Sequence, residues 1–521
     1  MKSYVAKSKG AKKLVRLLFS RTAIIFAAVL LQIGFLLLYV LKINNYSTYF
    51  GASMHIISII LIVTIMNRQE NPMYQIAWII PIAAIPVFGT FFYLFVQMQP
   101  TIKVLNHMMQ KNKIATKPYL MQNHKTFDEL EKEDYSVAQL AAYMNDYGGY
   151  PVYSNTKVTY FSLGEEKFKD LLIELKKAEK FIFLEYFIVE EGVMWNQILS
   201  ILKEKVKQGV EVRFMYDGMC SLTLLPYNYP KKMKEYGIKC KIFNQVRPIL
   251  STAQNNRDHR KILVIDGKVA YNGGVNLADE YINVKERFGH WKDTAVKIEG
   301  EAVQSFLLMF LEMWNLDELI QNDEMLTLCK KGPMHSVPTK SYVMPYGDSP
   351  LDKENVGELV YLHMINNAKK YVHIMTPYLI IDNEMISALT FAAKRGVDVH
   401  IIMPHVPDKW YAFVLAKTYY QELIEAGVKI SEYTDGFVHA KTFVVDDEMS
   451  VVGTINLDYR SFYLHFECAT FFYQSSAVYD VERDFEHLLS KCELATIEMC
   501  KREPIYKKVI GKVLRLVAPL M

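Results

Sequence analysis

Three apolar runs crowd the first hundred residues, and beyond Tyr150 short apolar runs alternate with amphipathic stretches. From Thr22 to Leu41 the chain carries no charge over about the twenty residues a helix needs to cross a hydrocarbon core, which predicts a membrane span. A second run, Tyr49 to Met66, is shorter and contains His55. A third, Ile76 to Val96, is interrupted by Pro81, Pro86 and Gly89. Two or three hydrophobic helices over residues 22–98 are expected. The first run is too long for the apolar core of a secretory signal and lacks a small-residue cleavage site, so a retained span is the better reading.

The alternation after Tyr150 predicts an α/β fold, and it occurs twice. In the first block "KFIFLEYFIV" reads as a buried strand, Met194 to Gln208 as a helix and "GVEVRFMYD" as the next strand. In the second, "KYVHIMTPYLI", a helical run to Arg395 and "GVDVHIIMP" repeat that order. The expected organisation is a basic segment 1–21, a membrane region 22–98, a juxtamembrane linker 99–150, a first lobe 151–331, a connector 332–350, a second lobe 351–500 and a basic amphipathic helix 501–521. In that helix Ile505, Val509, Val513 and Leu516 share one face and Lys508, Lys512 and Arg515 another. It either lies on an anionic membrane or packs on the second lobe with its basic face in solvent.

Composition changes this picture little. The 521 residues carry a formal net charge of +4, which gives no support to a general polyanion-binding or nucleic-acid role. Local charge says more. Lys2, Lys7, Lys9, Lys12, Lys13, Arg16 and Arg21 precede the first run with no acid among them, which places the N-terminus in the cytoplasm. Lys103, Lys111, Lys113, Lys117 and Lys125 follow the third run and favour the same side, a demand that three full crossings do not meet. The expected location is the cell membrane, multi-pass, with the facing of the lobes open. The six cysteines are scattered without C-x-x-C pairing, which argues for free thiols rather than a zinc site or disulfides.

The chemistry sits in a duplicated motif. "DHRKILVIDG" carries His259, Lys261 and Asp266, and "VHAKTFVVDD" carries His439, Lys441 and Asp446 at the same spacing, 180 residues on. The offset persists downstream, where Gly273, Gly274 and Asn276 correspond to Gly453, Thr454 and Asn456. A single histidine on a strand is usually a hydrogen-bonded core residue; two matched sets argue for one site built from both blocks. On a strand, His and Lys two apart project from one face. Two imidazoles and two ammonium groups suit a phosphodiester: one neutral imidazole attacks phosphorus, the other protonates the leaving alkoxide, and the lysines neutralise the non-bridging oxygens. Glycines and asparagines suit a phosphate pocket. No metal or other cofactor is required. Asp266 and Asp446, four positions past their lysines, read as turn or capping supports rather than proton carriers.

With "YFSLGEEKF", "HWKDTAVKIEG" and "NLDYRSFYLHFE", these motifs make the chain similar to the phospholipase D superfamily and, within it, to the bacterial cardiolipin synthases. The resemblance spans nearly the whole chain. It implies two tandem α/β/α sandwich lobes related by pseudo-twofold symmetry, and transfer between two phosphatidylglycerol molecules to give cardiolipin and glycerol. It implies His259 as nucleophile, forming a phosphohistidine, and His439 as acid and then base. Lys261 and Lys441 would complete the two sets, with Asp266 and Asp446, and Asp293 and Glu467 would orient the histidines. Phosphatidylglycerol and anionic membrane lipids are the expected partners. A membrane-bound phosphodiesterase using water in place of the second alcohol is the alternative.

Overall fold

The computed structural model describes residues 45–97, 100–220, 224–245, 255–330 and 332–520. They fall into two compact units, one comprising the N-terminal helices together with the C-terminal end from Leu516, and one holding the duplicated blocks up to Arg515.

In the N-terminal unit the second apolar run forms helix α1 (Asn45–Met66), and the third is split into α2 (Pro72–Ala84) and α3 (Pro86–Gln97). Asn71 caps α2 by accepting from the Met73 amide at 3.0 Å, and Pro72 follows at the first helical position. Pro86 ends one helix and begins the next because its ring excludes a continuous α-ladder. Ile65, Trp78, Ile82 and Tyr93 make the core between the three helices. A Cβ on Gly89 would sit 2.4 Å from the Pro81 carbonyl oxygen, so only glycine allows α2 and α3 to approach this closely. Buried Ser58 and Thr90 satisfy one another across 2.8 Å. The single span expected of the third run is therefore replaced by helices of 13 and 12 residues. No described helix is long and apolar enough to cross a membrane. The run from Thr22 to Leu41 lies outside the described residues.

The second unit is built on two mixed sheets with one topology. The first has strands β1 (Thr156–Phe161), β2 (Phe181–Tyr186), β3 (Glu211–Asp217), β4 (Lys239–Phe243), β6 (Ile262–Ile265), β7 (Val269–Gly273) and β9 (Ala295–Gly300), ordered β1-β9-β7-β6-β2-β3-β4. Two short strands, β5 (Arg257–Asp258) and β8 (His290–Lys292), lie off it. The second sheet has β10 (Tyr342–Asp348), β11 (Tyr371–Met375), β13 (Asp398–Pro404), β14 (Lys429–Tyr433), β16 (Thr442–Val445), β17 (Met449–Gly453), β19 (His465–Tyr473) and β20 (Cys492–Leu494). Its order, β10-β19-β17-β16-β11-β13-β14-β20, repeats the first strand for strand and adds β20 at the edge. Between them in sequence, β12 (Leu379–Ile380), β15 (Gly436–Val438) and β18 (Leu457–Asp458) form small pairings outside the sheets.

Local sequence explains these elements. All six residues of β2 are buried, as expected of an inner strand covered on both faces, and it pairs parallel with β3 and antiparallel with β6. Helices α4 (Gly164–Lys177), α5 (Val193–Lys207) and α6 (Val303–Trp314) cover the first sheet. In the second block α7 (Val356–Asn367), α8 (Asn383–Lys394), α9 (Trp410–Glu425) and α10 (Ser476–Leu489) do so, followed at the C-terminus by α11 (Ile505–Val517).

Two sequence expectations change. The stretch read as a linker is helical over Pro100–Thr116, His124–Glu133 and Tyr135–Tyr143, with Asn123 and Asp134 as N-caps. Asn112 donates to the carbonyls of Glu312 and Asn315 at 2.8 and 3.1 Å in the first lobe, and Lys113 pairs with Asp352 of the second at 2.8 Å. The stretch read as a connector contains β10, paired with β19 along its whole length.

Candidate active site

Both histidine motifs lie just past a short strand that pairs with the opposite lobe. β5 runs parallel to the start of β19, with Arg257 opposite His465 and Asp258 opposite Phe466, and the His259 amide donates to the Phe466 carbonyl at 2.9 Å. β15 runs parallel to β8 in the same way, and the His439 amide donates to the Lys292 carbonyl at 2.7 Å. In each case the residue after that carbonyl is acidic. His259 Nδ1 lies 2.9 Å from both oxygens of Glu467, and His439 Nδ1 lies 2.6 Å from Asp293 Oδ2. Each carboxylate thus fixes the histidine of the other lobe, holds its proton on Nδ1 and leaves Nε2 as the free lone pair.

The lysines follow the same symmetry. Lys261 Nζ donates to the His259 carbonyl at 2.6 Å, and Lys441 Nζ donates to that of His439. Burial pushes both down, Lys261 to about 8 and Lys441 to about 7, against the pull of Glu467 and Asp293. A negative charge placed between them would raise both.

The two halves differ in the environment of their acids. A Cβ on Gly274 would lie 2.0 Å from Asp293 Oδ1, so glycine gives that carboxylate its place. Burial raises Asp293, but His439 and Lys441 outweigh it and hold the carboxyl below its usual range. At the matching position Thr454 donates to Glu467 Oε2, and Ser461 donates to Oε1 at 2.9 Å. Burial nevertheless holds Glu467 well above the ordinary carboxyl value. His259 is lowered well below the usual imidazole value by burial and then by Lys261; His439 is pushed down to about 4 by burial and Lys441, with Asp293 opposing. Burial thus favours the neutral form of both imidazoles. Of the two, His439 has the partner better able to support an imidazolium.

Asp266 and Asp446 point elsewhere. Asp266 accepts from the amides of Glu179, Lys180 and Phe181 at 2.7–2.8 Å, and Asp446 from those of Lys369, Lys370 and Tyr371 at 2.6–2.8 Å. Both have positive φ, 54° and 56°. They fasten the motif strands to the starts of β2 and β11. Asn276 is occupied in positioning, accepting from the Ile188 amide and donating to Tyr281 Oη, both at 2.9 Å; the Tyr281 ring packs 5.5 Å from that of His439. Asn456 Oδ1 is buried without a hydrogen-bond partner.

His465 enters the site without having been singled out in the sequence. It is buried, its ring is 5.4 Å from that of His259, and Arg460 lies 3.2 Å from its Nε2. Its only sequence signal is its place two residues before Glu467. Buried Lys167 donates to the Val275 carbonyl at 3.1 Å and is pushed by burial to about 7. His259, His465 and Glu467 bring donor atoms within 4.8 Å of one another, as do His373, Glu482 and Glu486. In the first group Glu467 already receives His259, Thr454 and Ser461, and the Lys261 charge bears on it. That environment suits an anion better than a cation.

A family model described as "Cardiolipin synthase, PLD-like domain" matches residues 171–314 and 361–489, and one described as "Phospholipase_D-nuclease N-terminal" matches 56–97. The chain belongs to the cardiolipin synthase family. Among curated proteins, a cardiolipin synthase of Alkalihalophilus pseudofirmus is 35% identical over 96% of this chain and 98% of its own length. An uncharacterized protein of Streptococcus mutans is 51% identical over 88% of this chain and 98% of its own. Among solved structures, phosphatidylserine synthase from Haemophilus influenzae shares the fold, with a TM-score of 0.56, 15% identity, and coverage of 74% of this chain and 98% of that one. The two matched segments correspond to the two halves of the duplicated α/β architecture.

Proposed function

We propose that the protein is a membrane-associated cardiolipin synthase that transfers a phosphatidyl group between two phosphatidylglycerol molecules through a phosphohistidine. The observation that carries this reading is the crossed pairing of two histidines with unlike acids. His259 Nε2 attacks phosphorus; the P–N bond forms as the P–O bond to glycerol breaks, and the leaving oxygen takes a proton from His439. The substrate's negative charge raises His439 against the effect of burial and Lys441, and Asp293 supports the imidazolium. Neutral again, His439 takes the proton from the terminal hydroxyl of a second phosphatidylglycerol. That oxygen attacks phosphorus, the P–N bond breaks, and cardiolipin leaves. Lys261 and Lys441 neutralise the non-bridging oxygens as charge builds. Anchorage through the N-terminal apolar runs, including Thr22 to Leu41, would make the protein a multi-pass membrane protein working on anionic lipids.

Confinement to a bilayer presents the second lipid hydroxyl at high local concentration, so transfer outruns hydrolysis by proximity. Purified protein in phosphatidylglycerol vesicles is expected to release about one glycerol per cardiolipin formed, with phosphatidic acid a minor product. Phosphatidic acid as the dominant product at high phosphatidylglycerol density would replace the synthase reading with a phospholipase one.

Turnover is also expected to withstand a strong chelator, because two lysines occupy the role a divalent ion would play at the phosphate. Loss restored by one divalent ion alone would contradict the mechanism.

A further inference from the structure

Helix α11 is amphipathic with a period that left two orientations open, and the structure takes neither in its simple form. The helix packs on the second lobe through its small and basic side. Buried Gly511 faces α9, where an added Cβ would meet Thr418 Cγ2 at 2.5 Å and the Val414 carbonyl oxygen at 3.0 Å. The Arg515 guanidinium lies 4.3 Å from the centre of the Tyr419 ring and 3.5 Å from Glu422. The apolar stripe therefore faces outward: Ile505 is 80% exposed, Val509 55% and Val513 57%, with Tyr506 and Ile510 beside them. Lys507 and Lys508 are half-buried at the margins of the stripe, and Lys512 is exposed there.

A contiguous outward apolar stripe on a helix is costly in water unless something covers it. Two further features say what does. First, the margins are basic, which complements the anionic lipid on which the family acts. Second, α9 and α11 run the same way, since Gly511 meets Val414 and Thr418 while Arg515 meets Tyr419 and Glu422. The Ile505 end thus points toward the start of α9, where Trp410 is 63% exposed beside partly exposed Tyr411. Tryptophan and tyrosine favour the membrane–water boundary, where an apolar ring body meets a polar tip. The adjoining Lys409 donates to Tyr378 Oη at 3.2 Å, and both line a cavity with Phe437, whose ring lies 5.9 Å from that of His439. The aromatic end of the surface therefore lies beside the mouth of the histidine site.

We propose that the outward face of α11, continued by Trp410 and Tyr411, seats in an anionic bilayer and holds the mouth of the cleft against the layer of lipid phosphodiesters. The apolar side chains lie about 5–10 Å deep at the headgroup–acyl boundary, with exposed Lys512 at the level of the phosphates and Lys507 turned toward the second lobe. This rests on the reading of the protein as a lipid phosphatidyltransferase.

The test uses the full chain in phosphatidylglycerol vesicles, with p-benzoylphenylalanine replacing Val509 or Val513 and, as a reference, Lys507 at the inner margin. After irradiation, both outward positions are expected to yield phosphatidylglycerol adducts at least fivefold more than Lys507 does. The yield should drop at least fivefold in phosphatidylcholine vesicles. Adducts within the chain or between two copies would overturn the proposal by giving the stripe a protein occupant. So would a lipid yield no higher than at Lys507, or one indifferent to headgroup charge. Crosslinking is read without turnover: a switch of product to phosphatidic acid would overturn the synthase reading and leave the docking result standing.

Discussion

His259→Ala is expected to abolish both turnover and any covalent lipid adduct, lowering the rate by at least about 10⁴-fold, as when an enzyme loses its nucleophile. The geometry makes the loss specific. His259 Nδ1 is held by both oxygens of Glu467, so the reacting atom is a preset Nε2 lone pair rather than a rotating ring. Alanine supplies no nucleophile there; His465, whose ring lies 5.4 Å from that of His259, has its Nε2 beside Arg460 at 3.2 Å and does not replace it. The fold should persist, because Glu467 keeps its bonds from Thr454 and Ser461. Labelled phosphatidylglycerol, quenched in alkali where phosphoramidates survive, and mass spectrometry of the peptide containing residue 259 would read the adduct. An adduct that survives in the alanine variant would move the nucleophile to His439.

The second large effect separates the two histidines. His439→Asn keeps an amide within reach of Asp293 but cannot deliver a proton, so turnover with phosphatidylglycerol should fall by about 10²–10⁴-fold, the usual worth of general acid–base catalysis. A phosphatidyl ester of p-nitrophenol needs no such acid, because its leaving group departs as a stable anion. With it the variant should release about one nitrophenolate per enzyme in a burst and then stall, since no base remains to activate the second alcohol. The stalled protein should carry its adduct on His259. Steady nitrophenolate release at the parent rate, without a burst, would end the acid–base assignment.

Much of this was legible in the sequence, for identifiable reasons. The motif repeats at a constant offset, and β2 and β11 have the apolar density of covered strands, so the doubled α/β unit could be read from periodicity. The turn positions of Asp266 and Asp446 could be read too, since a short carboxylate after a strand is suited to backbone amides. The crossing of the acids could not. Glu467 lies 208 residues from His259, and the strands that bring them together, β5 and the first residues of β19, pair over two residues. No local pattern encodes so short a ladder. The segment before Tyr150 reads as a linker because it falls between the apolar runs and the β-rich blocks, although Asn123 and Asp134 are cap signals in plain view. For α11, periodicity gives two faces but not which of them turns inward; Gly511, a gap that admits a neighbouring helix, was the unread clue.

The strand exchange also sets a schedule for the protein's synthesis. On a ribosome adding about 5–20 residues per second, some 10–40 s separate His259 from the Glu467 that fixes it. Throughout that interval the His259 ring has no Glu467 carboxylate to hold it, and until His439 is added Asp293 has no histidine to serve. The nascent chain is therefore catalytically silent until nearly all of it has been made. A product truncated before His439 would hold one half of the proposed site, without the second histidine or Glu467, and is expected to be inert toward lipids.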